Sequence, residues 1–153
     1  MTRSLEEIRR FFLADRFAVE RAGIRIDSVD PVDGKGSARV VCSMPVLPHH
    51  CNAAGTVMGG AIFTLADFCS AVSANAYADA TVTVSLSATI HYLGVCRSDC
   101  LLAKAEPVHD GRSTALISVR IEDLLGNLVA LVDCTGYRKP IPANLASKIA
   151  PQS

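Results

Sequence analysis

Two stretches of the chain carry groups fit for chemistry. The first runs His50-Cys51-Asn52-Ala53-Ala54-Gly55-Thr56-Val57-Met58-Gly59-Gly60. Its glycine pair stands just before a long apolar segment, where a helix is expected to begin. The first N–H groups of a helix have no intrahelical acceptor, and the helix dipole favours negative charge beside them. Aimed at a carbonyl oxygen, such groups stabilise the oxyanion that forms when the carbonyl is attacked. Close packing alone is the other reading of Gly59 and Gly60. Asn52 has an amide that either donates to a substrate or bonds its own loop. His50 reads as a catalyst or as a histidine that structures the loop. The second stretch is centred on Asp67, in mid-helix between Leu65-Ala66 and Phe68-Cys69. Aspartate has poor helix propensity there. Desolvation raises a carboxylate's pKa and suits it to take a proton. A solvent-facing or backbone-bonded Asp67 is the alternative.

Asp67 stands out because of where the other charges are. The chain has 153 residues, half of them hydrophobic, with 15 basic and 15 acidic side chains. Of those 30, only Asp67 and Asp79 lie between Val40 and Cys96. A stretch so poor in charge is expected to be mostly buried, and a carboxylate within it needs a reason. Asp79 reads as a surface turn residue. Balanced charge argues against an electrostatic grip on nucleic acid. The uncharged run 40–66 holds Pro45, Pro48, His49, His50, Asn52 and three glycines, which defeats a membrane span. The N-terminus lacks an apolar signal segment, so a cytoplasmic protein is expected. The six cysteines form no CxxC pair and read as reduced thiols. His49-His50-Cys51 and Cys96/Cys100 fall short of four convergent ligands, so no metal site is expected.

The elements that must position these groups follow from pattern. Ser4-x-x-Glu7 has the form of a capping box, and Leu5, Ile8, Phe12 and Val19 recur at helical spacing, which predicts a helix over 4–22 ending near Gly23. Alternation predicts strands at 23–30 and 37–44, joined at Asp33-Gly34. Residues 45–57 read as a loop. Residues 59–77 are apolar or small almost throughout, which predicts a helix buried on all sides. Four strands follow, at 81–93, 99–108, 112–123 and 128–138, with turns at 109–111 and 125–127. Short turns imply antiparallel pairing, and a helix apolar all round needs a sheet curved around it. Residues 1–140 thus read as one α+β domain, and the tail 141–153 as poorly ordered.

The ordered set HHCNAAGTVMGGAIFTLADF, then VSLSATIHYLG, HDGRS and LLGNLVALVDCTGYR, resembles the hotdog-fold acyl-CoA thioesterases, in particular the phenylacetyl-CoA thioesterase-like branch. The resemblance spans about residues 15–138. It implies a curved antiparallel sheet around a long helix, assembled into homodimers that share active sites and often into homotetramers. It implies hydrolysis of an acyl-CoA with no cofactor beyond the substrate. The Gly59 amide would bind the thioester carbonyl, and Asp67 would act as nucleophile or general base. Asn52 would orient carbonyl or water, and Ser85 on the long strand would assist. His50, Met58, Gly60 and Phe63 are the expected substrate contacts, with Tyr92 and Leu93 further candidates to line the acyl pocket. Arg97 and Arg112 are candidate phosphate contacts or solvated turn charges. One position departs from the family: the usual His before the glycine pair is Met58, which has no proton to give. Met58 is the feature that favours a non-catalytic acyl-CoA-binding protein. A hotdog dehydratase would need His50 or His91 beside an acid.

Overall fold

A computed structural model describes residues 3–32 and 36–149. The elements are α1 (Leu5–Phe12), a π-helical turn (Phe17–Arg21), β1 (Arg25–Pro31), β2 (Ala38–Pro45), a 3-10 turn (Pro48–His50), α2 (Gly59–Asn75), β3 (Thr81–Tyr92), β4 (Cys100–Asp110), β5 (Thr114–Asp123), β6 (Leu128–Pro140) and α3 (Ala143–Ile149). The six strands form one antiparallel sheet in the order β1-β2-β4-β5-β6-β3. The Asp33-Gly34 turn lies outside the described residues. α3 lies within the tail 141–153, of which residues 150–153 fall outside the described residues.

The sheet is curved, as expected. α2 packs against β2, β3, β4, β5 and β6. Flat strands in that order would span about 19 Å, more than one helix of roughly 10–12 Å diameter covers. The contact is close because α2 is rich in small residues. Ser73 Oγ donates to the Ala38 carbonyl at 2.6 Å, and Cys69 Sγ lies 3.6 Å from the Ala103 carbonyl. Leu65, Ala66, Cys69 and Val72 are fully buried against Val40, Met44, Leu101, Val119 and Ile121. All six cysteines are free thiols.

Two expectations change. The N-terminal helix is not continuous over 4–22. The Ser4–Glu7 capping box forms and starts α1, but Ala14 and Asp15 close shorter turns onto Phe11 and Phe12, and the chain resumes as a π-helical turn. The reason is geometric. Ile8 and Phe12 are buried on one side, and Ala18 and Ala22 are buried ten residues later. In an unbroken helix ten residues place the second pair about 80° round from the first. The break turns both pairs inward.

The second change concerns α2. It is not covered all round. Gly60 and Asp67 are exposed, and Phe63, Thr64 and Ala71 are only half-buried. These positions recur at i, i+3, i+4, i+7 and i+11, so they form one uncovered strip along the helix. A sheet wrapped around a helix within one chain leaves such a strip, which a single sequence reads as buried because its residues are apolar or small.

Candidate active site

The loop 50–58 is built to present the start of α2. Met58 N–H donates to the His50 carbonyl at 2.8 Å, and Cys51 bridges Val57. Inside this closure Asn52 N–H bonds the Thr56 carbonyl, and Gly55 takes φ +79°, where a side chain would be strained. The Asn52 carboxamide serves the loop. Its Oδ1 accepts from the Ala54 and Thr56 N–H groups at 3.0 and 3.2 Å, and its Nδ2 donates to Thr56 Oγ1 at 3.0 Å. His50 is buried behind the loop. Its Nδ1 accepts from Leu47 N–H at 3.1 Å, while its ring stands on His49 with centroids 4.3 Å apart. Burial first, and His49 second, push its pKa down, so the imidazole is neutral. Within the chain the Asn52 carboxamide and His50 Nδ1 thus direct their hydrogen bonds to the local backbone and loop, while His50 Nε2 is buried without a partner among the described residues.

Met58 is the N-cap of α2 and supplies no side-chain cap. Among the described residues, neither Gly59 nor Gly60 N–H has an acceptor. The two donors expected from the glycine pair are thus present and open, with Gly60 exposed beside half-exposed Met58. Phe63 follows one turn later.

Asp67 lies on the uncovered strip, eight residues from Gly59. Eight residues of α-helix rise about 12 Å and turn through about 80° beyond two full turns. The Gly59 N–H and the Asp67 carboxylate of one chain therefore cannot flank one carbonyl. Although Asp67 is exposed in this chain, the protein around its carboxyl displaces enough water to raise its pKa above the ordinary aspartate value. Asp15, at the break after α1, is raised as well, by burial and then by the charge of Asp67. The edge-to-face contact of Phe12 with Phe68, centroids 5.8 Å apart, brings that break beside Asp67. No motif marked Asp15 in the sequence.

The edge strand β3 runs antiparallel to α2 and is tied to it at both ends. Asn75 Nδ2 donates to the Thr83 carbonyl at 3.0 Å and Asn75 Oδ1 accepts from Thr83 N–H at 2.8 Å. At the other end Tyr92 Oη donates to the Gly59 carbonyl at 3.0 Å. Between them Ser85 opens onto a small recess with Ser70 and Ala71, one turn beyond Asp67. A bulge between Ser85 and Ser87 turns Ser85 and Tyr92 to the same face, although they are seven residues apart. His91 is exposed and by alternation points to the opposite face from Tyr92, and His50 is buried in its turn, so the two histidines do not meet at α2.

The two arginines are not brought together. Arg97 precedes β4 and Arg112 follows it, and eleven strand residues span roughly 36 Å. Arg97 shares the end of the sheet that holds Tyr92 and Gly59. Its loop is tied to the β5–β6 turn by Asp123, whose carboxylate accepts from Arg97 N–H at 3.0 Å, from Leu125 and Asn127 N–H at 2.9 Å each, and from Asn127 Nδ2 at 2.9 Å. The Asn127 side-chain amide, helped by those backbone donors against burial, holds its pKa down to about 2 from the ordinary 3.8. A depressed carboxylate pKa adds stability above pH 3.8 that is lost as pH falls toward 2. Asp123→Ala is expected to lower Tm at pH 7 by roughly 5–10 °C and to flatten the loss of stability over that acid window, read by thermal melts from pH 7 to 2.

No helix among the described residues is long and apolar enough to cross a membrane. Among those residues, no group of three or more His, Cys, Asp or Glu side chains is placed to hold a metal ion.

The chain is similar to known proteins along most of this frame. Residues 54–130 match the model of the thioesterase superfamily. A protein of Archaeoglobus fulgidus, provisionally named an esterase, is 32% identical over 104 residues, covering 68% of this chain and 66% of that protein. The chain thus spans just under two thirds of that relative's length. The Escherichia coli PaaI protein, from the phenylacetic acid degradation operon, shares the fold with a TM-score of 0.73 at 25% identity, over 88% of this chain and 94% of its own. A hypothetical thioesterase of Streptococcus pneumoniae TIGR4, solved with coenzyme A, gives a TM-score of 0.73 at 25% identity, over 86% of this chain and 99% of its own. The fold is the hotdog fold, and with just over half of its residues matching the family's model, the chain belongs to the thioesterase superfamily.

Proposed function

We propose that this protein is an acyl-CoA thioesterase in which the Gly59 N–H polarises the thioester carbonyl and Asp67 is the general base or nucleophile. One observation carries the reading. The uncovered strip of α2 begins at two open N–H donors and continues to a carboxylate whose pKa is raised by burial. In the general-base route Asp67 takes a proton from water as the water oxygen bonds the carbonyl carbon. The C–S bond then breaks, and CoA leaves as thiolate. In the nucleophilic route the carboxylate bonds the carbonyl carbon first, the C–S bond breaks with CoA leaving as thiolate, and water then cleaves the resulting anhydride to free acid and carboxylate. Either route places negative charge on the carbonyl oxygen, where backbone donors stabilise it.

The separation of Gly59 from Asp67 along one helix supports a site completed by the second chain of a dimer. Two features support that dimer. β3 is a twelve-residue edge strand with an open ladder, and Leu86, at its bulge, is exposed. The uncovered strip of α2 lies beside that edge. The streptococcal neighbour solved with coenzyme A supports a CoA ester as the substrate class.

A panel of aryl, short-chain and medium-chain acyl-CoAs, followed by a thiol reagent, tests the reading. Release of CoA from at least one class is expected. Calorimetric binding of CoA with no turnover would mean a non-catalytic binding protein. That reading draws on Met58, which offers no proton where the family resemblance implies a histidine.

A further inference from the structure

We propose that Tyr92 is a positioning residue for the two N–H donors at the start of α2, its hydroxyl polarising the Gly60 N–H and its ring backing the turn that carries the Gly59 N–H. The inference rests on the reading of the Gly59 N–H as the carbonyl-binding donor, with Gly60 as a substrate contact beside it. Tyr92 Oη donates to the Gly59 carbonyl at 3.0 Å. That carbonyl and the Gly60 N–H belong to the same peptide plane. A hydrogen bond accepted by its oxygen makes the N–H a stronger donor, because peptide groups polarise along a chain of hydrogen bonds. The ring acts on the other donor. A Cβ placed on Gly59 would stand 2.9 Å from Tyr92 Oη and 3.0 Å from its Cζ. The ring thus occupies the space that any larger residue at 59 would fill, and it backs the turn that carries the Gly59 N–H.

This gives a physical reason for glycine at position 59 beyond the open N–H. Gly59 has an ordinary backbone conformation, since among the described residues the glycines with positive φ are Gly23, Gly36, Gly55 and Gly126. Its requirement is room for the Tyr92 ring. Tyr92 in turn reaches Gly59 because the bulge after Ser85 turns the end of β3 onto the α2 side. The side chain is half exposed, so it is not held by core packing. Among the described residues the one hydrogen bond of its side chain is to the donor turn, which is what a positioning group needs and a core aromatic does not.

Tyr92→Phe tests this, since it keeps the ring and removes only the hydroxyl. The expected result is a fall in kcat of roughly tenfold with KM within about twofold, a fraction of what losing a whole oxyanion donor costs. Tm should stay within about 3 °C, the size expected for one exposed hydrogen bond. The readout independent of turnover is the Gly60 amide proton in a 1H–15N spectrum, expected to move upfield in Tyr92→Phe. An unmoved Gly60 resonance, or an unchanged kcat, overturns the proposal. A wild-type protein inert toward every acyl-CoA overturns the thioesterase reading instead, and the Gly60 resonance still decides whether Tyr92 polarises that peptide.

Discussion

Asp67→Asn is expected to lower kcat by on the order of 10^3-fold toward whichever acyl-CoA the wild type hydrolyses best. Asparagine matches the shape of aspartate but neither takes a proton nor attacks a carbonyl. KM should change little, because the carboxylate acts on the reacting atoms rather than on CoA. The pH profile adds a second check. Burial raises the Asp67 pKa, so the wild-type rate should fall, as pH is lowered, at a pH above the ordinary carboxylate range. The sign for stability is opposite to that for activity. A carboxyl whose folded pKa is raised stabilises the fold in its protonated form, and that contribution is lost as pH rises through the folded pKa. Once ionised, Asp67 is therefore a cost to the fold. Asp67→Asn should leave Tm unchanged or raise it by about 1–2 °C while removing activity, which is the trade expected of a functional carboxylate. A variant that keeps wild-type kcat would remove Asp67 from the mechanism. A variant that loses activity together with several degrees of Tm would make Asp67 a structural residue.

Much of this frame was legible in the sequence because its signals are local. The capping box at Ser4 and Glu7, the alternation of the strands and the apolar run of α2 each report on neighbours a few residues away. The glycine pair announced open donors because any helix start leaves them open. The features that were not legible depend on distant partners. α2 reads as buried all round because Gly60, Phe63, Thr64 and Ala71 are apolar or small, yet the sheet leaves their strip uncovered. The break after Phe12 follows from the need to turn Ala18 and Ala22 onto the same core as Ile8 and Phe12. The bulge after Ser85 changes which residues of β3 share a face, and strict alternation would have separated Ser85 from Tyr92. Asp15 has no motif of its own and meets Asp67 only through the contact of Phe12 with Phe68. Asn52 and His50 were open between two roles, and within the chain their hydrogen bonds go to the loop.

A mixture of two inactive variants is expected to recover about a quarter of wild-type activity. One variant is Asp67→Asn. The other is Gly59→Pro, which removes the donor N–H at the first helical position, where proline is compatible with a helix. The added ring would meet Tyr92 Oη, but that is the far end of a half-exposed side chain able to turn toward solvent. If each site takes Gly59 from one chain and Asp67 from the other, a mixed dimer has one site with both groups intact and one with neither. Random pairing of equal amounts makes half of the dimers mixed, and half of the sites in those are competent. Unfolding and refolding the two variants together, then measuring CoA release per chain, gives the number. If donor and carboxylate worked within one chain, no mixture would recover anything. The helix geometry argues against that, because about 12 Å of rise separates the two groups, and a carbonyl under attack needs its oxygen donors and its base within hydrogen-bond reach. Recovery near one quarter would therefore establish both the dimer and the shared site, from activity alone.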